Sequence, residues 1–447
     1  MNTRSANNHN QKQAAFGHAV VIGSSMAGLT AARVLIDHFD RVTLIDRDRL
    51  PEGPEFRRGV PQAVHAHTLP LRGQKILEDQ FPGLTTELRT QGAIPIEADN
   101  ELAVFLAGSW HDLRHHSINS PAIVCSRPLL ESTIYRRLAA HPRIEIIQEH
   151  DVIGLRSDNK AGRVTGVQLR SRQNASQPQT ELAADLVLDA SGRGSLAPEW
   201  LAGLGYLPPL ESTINAFAGY ASRIYRQPAE FAESWKTLYI KPAPPGGTRG
   251  GMIIPLEGDR WYVTLVGMAR DYPATDEAGF LDFARSLPTS RLYEAIKDAE
   301  PLSKPCGFRR TEHRVRHYDR LPRYLEGFLV AGDAAYALNP VYAQGMTAAA
   351  MGSLALDHAL KQQQNKAGSD LTGLAKSFQK QLSKAVAGTW AMGTREDQRW
   401  PATEVAENVV PRLKRAARRP VKPIPPKRTT RVATGVVLAQ PRPVVIR

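Results

Sequence analysis

The sequence predicts an α/β protein: a Rossmann-like domain, a βαβ unit in a three-layer arrangement around its sheet, interleaved with a second domain built on a mixed antiparallel sheet. Three observations predict it. Between His18 and Asp46 an apolar run, a glycine turn, a helical pattern and a second apolar run ending on an acid follow one another. Two later apolar runs, Leu186–Asp189 and Phe328–Ala331, lead into turns rich in glycine. Between about Gly203 and Pro301 the pattern changes to alternating segments broken by Pro and Gly.

The elements follow in order. Ala19-Val20-Val21-Ile22 is short, apolar and β-branched, as in a strand buried on both faces. After the turn Gly23–Gly28, Leu29 to Phe39 has helical spacing through Leu29, Ala32, Leu35 and Ile36. Arg41–Asp46 is a second buried strand, and residues 47–69 form a loop rich in Pro and Gly. Helices are predicted at Thr68–Gln80 and Pro128–Ala140, the latter capped by Ser126. Strands are predicted at Ile144–Gln148, Val164–Leu169, Leu186–Asp189, Ala216–Tyr225, Gly251–Leu256, Trp261–Gly267 and Phe328–Ala331, with helices at Ala278–Leu287 and Ser290–Asp298. A small-residue helix runs through Leu360. The domains read as 17–202 with 302–400 for the first and 203–301 for the second, with 80–120 open to assignment to the second. Residues 1–16 read as a disordered leader.

Composition narrows the function. The chain has 447 residues, 42% hydrophobic and 23% charged, enough for a large core. Two cysteines, Cys125 and Cys306, make neither a disulfide framework nor a metal motif. No run reaches the ~20 apolar residues of a membrane span, so a cytoplasmic protein is expected. The net charge is +13, but residues 411–447 carry eleven Lys or Arg and no acid, leaving about +2 for the rest. Basicity is therefore a property of the tail, which also has seven prolines. A nucleic-acid partner is not expected of the body. The tail reads as a solvated extension, or as a peripheral contact for an anionic membrane or polyanion.

The first turn has the chemistry of a dinucleotide site. Gly23 and Gly28 hold the first and third glycine positions of GxGxxG, with Ser25-Met26-Ala27 between them. Ser25 replaces the middle glycine but is small enough for close approach. The helix start offers N–H groups to a pyrophosphate, and Asp46, 18 residues after Gly28, is placed to accept from a ribose diol. The alternative is a tight turn in an ordinary α/β sheet. Two later segments favour FAD: Gly332-Asp333 puts an acid at a strand end for a ribityl chain, and Pro340 to Met346 opens a helix whose Gly345 and Met346 amides would face the flavin pyrimidine edge.

The order of these segments resembles that of flavin-dependent hydroxylases of the p-hydroxybenzoate hydroxylase type, over roughly His18 to Trp400. Arg57 to Leu69, with Gln62, His65 and His67, is similar to a stretch of the bacterial polyether epoxidases that act on the precursors of lasalocid and monensin. The resemblance implies that Arg47, Arg57, Gln62, His65, Arg127 and Val152 join the turn residues in binding FAD. It also implies reduction by NAD(P)H, or delivery of reduced flavin by a partner reductase. A flavin C4a-hydroperoxide would then transfer one oxygen from O₂ to a lipophilic alkene or electron-rich ring. No protein nucleophile is required, so no catalytic side chain is assigned. The sequence departs from the pattern at Asp189-Ala190-Ser191-Gly192, Tyr336 and Thr347. A flavin halogenase or prenyl-chain reductase is the alternative, although no Trp-x-Trp-x-Ile-Pro segment occurs. A non-catalytic flavin-binding protein is the second. His65 and His67, two apart, are poor metal ligands; His115, His116, His313 and His317 read as surface residues, and Gly246–Gly251 as a hairpin rather than a phosphate loop.

Overall fold

A computed structural model describes residues 16–97, 101–111, 122–158, 160, 162–174 and 178–410. The leader apart from Phe16, His115 and His116, and the basic tail lie outside them. Five parallel strands form the central sheet, in the order Phe328–Val330, Leu186–Asp189, Phe16–Ile22, Phe39–Ile45 and Ile144–Ile147. All but the edge strand Ile144–Ile147 are largely buried, as an apolar, β-branched run in a parallel sheet requires. Helices Met26–Leu35, Arg127–Ala139 and Gly345–Ala367 cover one face. A three-stranded antiparallel sheet, His150–Asp158, Arg163–Ser171 and Thr180–Ala183, covers the other, inserting Leu155, Val164, Val167 and Leu169 into the same core. The result is the predicted three-layer α/β arrangement.

The second body is a seven-stranded mixed sheet ordered Cys306–Phe308, Gly219–Arg226, Arg260–Gly267, Arg249–Leu256, Thr237–Ile240, Leu102–Leu106 and Ser109–His111. Leu102–Leu106 reaches it from the first half of the chain and pairs parallel with Thr237–Ile240. Helices Glu277–Arg285 and Arg291–Ile296 pack on it, burying Phe280, Phe283, Leu292 and Ile296 with Trp261 and Trp235. A four-stranded antiparallel sheet joins Tyr336–Ala337, His313–Arg316, Glu211–Asn215 and Glu404–Val409.

Boundaries shift from the sequence reading for local reasons. The first strand opens at Phe16, whose ring meets Phe39 at 5.1 Å. Phe39 begins the second strand instead of ending the helix, which spans Met26–Leu35. Gly246–Gly251 lies in a hairpin entering the strand at Arg249, with Ala243 and Gly247 bridged. Among the described residues no helix is long and apolar enough to cross a membrane.

Candidate functional site

The glycine turn sits at the centre of the parallel sheet, between the first strand and its helix. Gly23 has φ +95°, and a Cβ there would meet the Ala190 carbonyl oxygen at 2.8 Å. A Cβ on Gly28 would lie 1.7 Å from the Gly23 carbonyl oxygen, so only glycine lets the helix approach the strand. Ser25, at the middle position, does not cap the helix with its side chain. Its hydroxyl instead donates to Glu131 at 2.6 Å and accepts from Arg127 at 2.9 Å. The hydroxyl is thus drawn sideways, and among the described residues the first N–H groups of the helix keep no side-chain partner. That leaves a positive helix end beside two arginines, a donor set suited to a pyrophosphate.

Asp46 closes the second strand where the sequence placed it. One carboxylate oxygen accepts from the Ser24 N–H, the Ser24 hydroxyl and Arg57, the last at 3.0 Å, and the other from the Asp48 N–H at 2.9 Å. Burial opposes its ionisation, but Arg57 and these donors outweigh burial and hold the carboxyl below the usual range. Arg57 also donates to the Ser24 carbonyl and lies 3.7 Å from Glu131. A cleft of about 400 Å³ opens here, lined by Ser24, Leu50, Arg57, Val60, Glu131 and Tyr135.

The Gly332-Asp333 turn completes the group. Gly332 has φ +59°, and its added Cβ would meet Ala27 at 2.5 Å, so the two glycine turns pack directly against each other. Among the described residues the Asp333 carboxylate accepts no hydrogen bond, and the nearest cation is Arg193 at 3.8 Å. An acid at a strand end with free acceptor capacity fits a ligand hydroxyl. The helix starting at Gly345 likewise has no side-chain cap. A second cleft, of about 480 Å³, runs from Arg127 and Met346 between two helices, Leu71–Gln80 and Leu84–Thr90, and is walled by Leu77, Leu84, Leu88 and Ile123. The uncapped helix ends, the close helix–strand approach that Gly28 permits and the open Asp333 together fit FAD.

Not every predicted residue joins this constellation. Gly23, Ser25, Met26, Ala27, Gly28, Asp46, Arg57, Arg127, Gly332, Asp333, Gly345 and Met346 gather around the turns and clefts. Pro340 opens the short turn that precedes the Gly345 helix. Arg47, Gln62, His65 and Val152 line neither cleft. The Arg47 side chain is exposed and reaches the Gly59 carbonyl; Val152 is a core residue of the three-stranded sheet. Gln62 lies in the short turn Pro61–Val64, where its carbonyl accepts from the His65 N–H.

His65 docks that loop on the second sheet. It is buried, shares a 2.9 Å hydrogen bond with the Ser222 hydroxyl and meets Tyr220 edge-on at 4.7 Å. Burial pushes it down to about 4, and desolvation with the neighbouring Arg127 pushes the half-buried His67 down to about 3. His313 corrects the surface reading: it is 1% exposed, packed between Trp390 and Tyr342. The residue missed at this site is Glu131. Its signal was available, because Arg127, Glu131 and Tyr135 recur every four residues on one face of the Arg127–Ala139 helix.

A family model described as FAD binding domain matches residues 18–387. A Mycobacterium tuberculosis protein, Rv3254, is 34% identical over 382 residues, 84% of this chain and 79% of its own. Among solved structures, a probable FAD-dependent monooxygenase of Pseudomonas aeruginosa, PqsL, superposes with a TM-score of 0.60 at 17% identity, covering 86% of this chain and 98% of that one. A flavoprotein/dehydrogenase of Cytophaga hutchinsonii gives 0.62 at 16% identity, covering 84% of each chain. The flavin-dependent brominase Bmp2 gives 0.58 at 16% identity, covering 85% of this chain and 89% of that one. At these identities the structural likenesses establish a shared fold.

Proposed function

We infer that this chain, which belongs to the FAD binding domain family, is an FAD-dependent monooxygenase. It would transfer one atom of O₂ to a lipophilic substrate, an alkene chain or an electron-rich ring. The observation carrying this reading is the second cleft. Apolar walls from Leu77, Leu84, Leu88 and Ile123 run up to Arg127 and Met346, the groups that would meet the flavin. Reduced flavin supplies the activation of O₂ when it is bound. The chain's own residues have four tasks. The uncapped start of the Met26–Leu35 helix and Arg57 hold the pyrophosphate, and Asp333 accepts from the ribityl hydroxyls. Asp46, with one oxygen accepting a single donor, keeps room for a ribose hydroxyl. The apolar walls exclude water from the reacting edge.

The likeness of Arg57 to Leu69 to the polyether epoxidases favours an alkene chain and epoxidation over ring hydroxylation. With one dinucleotide fold among the described residues, the reductant is NAD(P)H visiting transiently or a partner flavin reductase. The test is a product screen by mass spectrometry, supplying FAD, NADPH with or without a flavin reductase, and a panel of polyenes and phenols. A gain of one oxygen on a polyene is expected. A halogenated product on adding chloride or bromide would replace this reading with a halogenase, and an unchanged panel with stably bound, reducible FAD would favour a non-catalytic flavoprotein.

A further inference from the structure

A second buried polar cluster lies at the turn that leads into the Gly345 helix. Asp397, fully buried at the end of the Leu374–Asp397 helix, accepts from the Tyr342 hydroxyl at 2.6 Å and from the Asn339 side-chain amide at 3.1 and 3.2 Å. His313 Nδ1 accepts the Asn339 backbone N–H at 3.1 Å, which leaves Nε2 to carry the proton, 3.4 Å from Asp397. The Tyr342 ring stacks on His313 at 6.0 Å with an 8° interplanar angle. Asn339 also caps its own turn by accepting from the Val341 N–H. Among the described residues no Lys or Arg pairs with Asp397; its neighbour Glu396 is turned to Lys241 and Arg399. The nearest cation on the His313 side is Arg193, which donates to the Leu338 carbonyl and to Glu312. Tyr239 stands behind Tyr342.

This cluster grips one short stretch of chain. Asn339 to Gln344 leads into the uncapped start of the Gly345–Ala367 helix, and Ala343 within it has φ +54°, a left-handed conformation that costs a side-chain-bearing residue on the order of 1 kcal/mol. A strained turn persists only where its surroundings over-determine it. Here Arg193 holds one end at Leu338, and Asp397 holds the middle through Asn339 and Tyr342.

We propose that Asp397 is a positioning residue that clamps the Asn339–Gln344 turn and so aims the Gly345 helix start at the flavin. The inference rests on the reading that this helix end faces FAD. The ionised carboxylate can accept from both Tyr342 and Asn339 while facing the His313 N–H. Once protonated it must also donate, into a ring of donors, and its grip on the turn is lost. Burial raises this carboxyl to about 6, while His313, lowered to about 4 by burial, stays neutral through that range. The signs of the two consequences are opposite. A carboxyl raised above its unfolded value favours the fold when protonated, so its contribution to apo-protein stability grows as pH falls through 6. FAD affinity, which depends on the clamped turn, falls over the same interval.

The test titrates FAD into the apo-protein, followed by flavin fluorescence, from pH 7.5 to 5, for wild type, Asp397→Asn and Tyr342→Phe, with thermal midpoints measured alongside. If the clamped turn is populated at a tenth in Asp397→Asn, its FAD affinity at pH 7.5 is roughly tenfold weaker, and its pH dependence near 6 disappears. Tyr342→Phe should move the affinity midpoint to higher pH, because the lost hydroxyl stabilised the ionised form. A folded Asp397→Asn with wild-type affinity and pH profile, or one altered only in midpoint, overturns the inference alone. Should Asp397→Asn not fold, an unshifted Tyr342→Phe profile overturns it. A wild type that takes up no FAD at any pH overturns the functional reading and this inference with it.

Discussion

Gly28 is the residue on which the site depends most directly. The Gly23 carbonyl oxygen lies where its Cβ would be, 1.7 Å away, so Gly28→Ala must drive the helix off the strand. Overpacking of this kind costs roughly 1–3 kcal/mol, and the displaced helix start no longer meets the pyrophosphate. The expected result is a protein with a lowered thermal midpoint that retains no FAD on a desalting column. Flavin retained at the wild-type ratio would place the phosphates elsewhere. His65 offers a pH prediction. Its folded value, about 4, is below its ordinary one of 6.5, so it favours the fold while neutral, and that contribution is lost as pH falls from 6.5 toward 4. The interval corresponds to on the order of 3 kcal/mol. Equilibrium unfolding of His65→Gln should show a flatter acid limb than wild type; equal slopes over that window would contradict it.

At the scale of elements, the Arg127–Ala139 helix shows how local sequence sets site geometry. Ser126 accepts from the Leu129 N–H at 3.1 Å and Pro128 occupies the first turn, so the helix starts where Arg127 and Glu131 can both reach Ser25. Ser126→Ala should cost about 1 kcal/mol in denaturant unfolding and weaken FAD binding, since the arginine's mounting frays; an unchanged FAD affinity would show that the helix start is fixed by packing instead. The capping serine, the buried parallel strands and the glycine turns were legible in the sequence because each is a local pattern. The Leu374–Asp397 helix was missed although Leu374, Phe378, Leu382 and Val386 recur every four residues and are buried. Strand Leu102–Leu106 pairs with Ser109–His111 just beyond it, but its place in the second sheet is set by Thr237–Ile240, far along the chain; Glu404–Val409 likewise has a distant partner and is exposed throughout. Asp397 was invisible for the same reason: it meets Asn339 across 58 positions. Pairwise chemistry assembled by the fold leaves no spacing in the sequence.

For the whole molecule, the basic excess of the sequence begins where the described residues end. The last described element, Glu404–Val409, adds an edge strand to Glu211–Asn215, with the Ser212 hydroxyl accepting from the Asn408 N–H. Beyond Val410 the chain carries eleven Lys or Arg and no acid, most of the net charge of +13. A truncation after Trp400 would strip the edge strand and leave backbone groups of Glu211–Asn215 unpaired, whereas one after Val410 removes charge and leaves the sheet whole. The Val410 truncation should therefore keep FAD content and thermal midpoint, and its net charge should drop to about +2. The Trp400 truncation should melt earlier. Retention of the full chain on heparin or anionic vesicles should weaken steeply with salt, as screened charge and counterion release require, and be lost in both truncations. If the Val410 truncation loses flavin or melts as early as the shorter one, residues beyond 410 contribute to the packed body. If it keeps the heparin retention of the full chain, the basic face belongs to the body, where the even charge balance gives no reason to expect one.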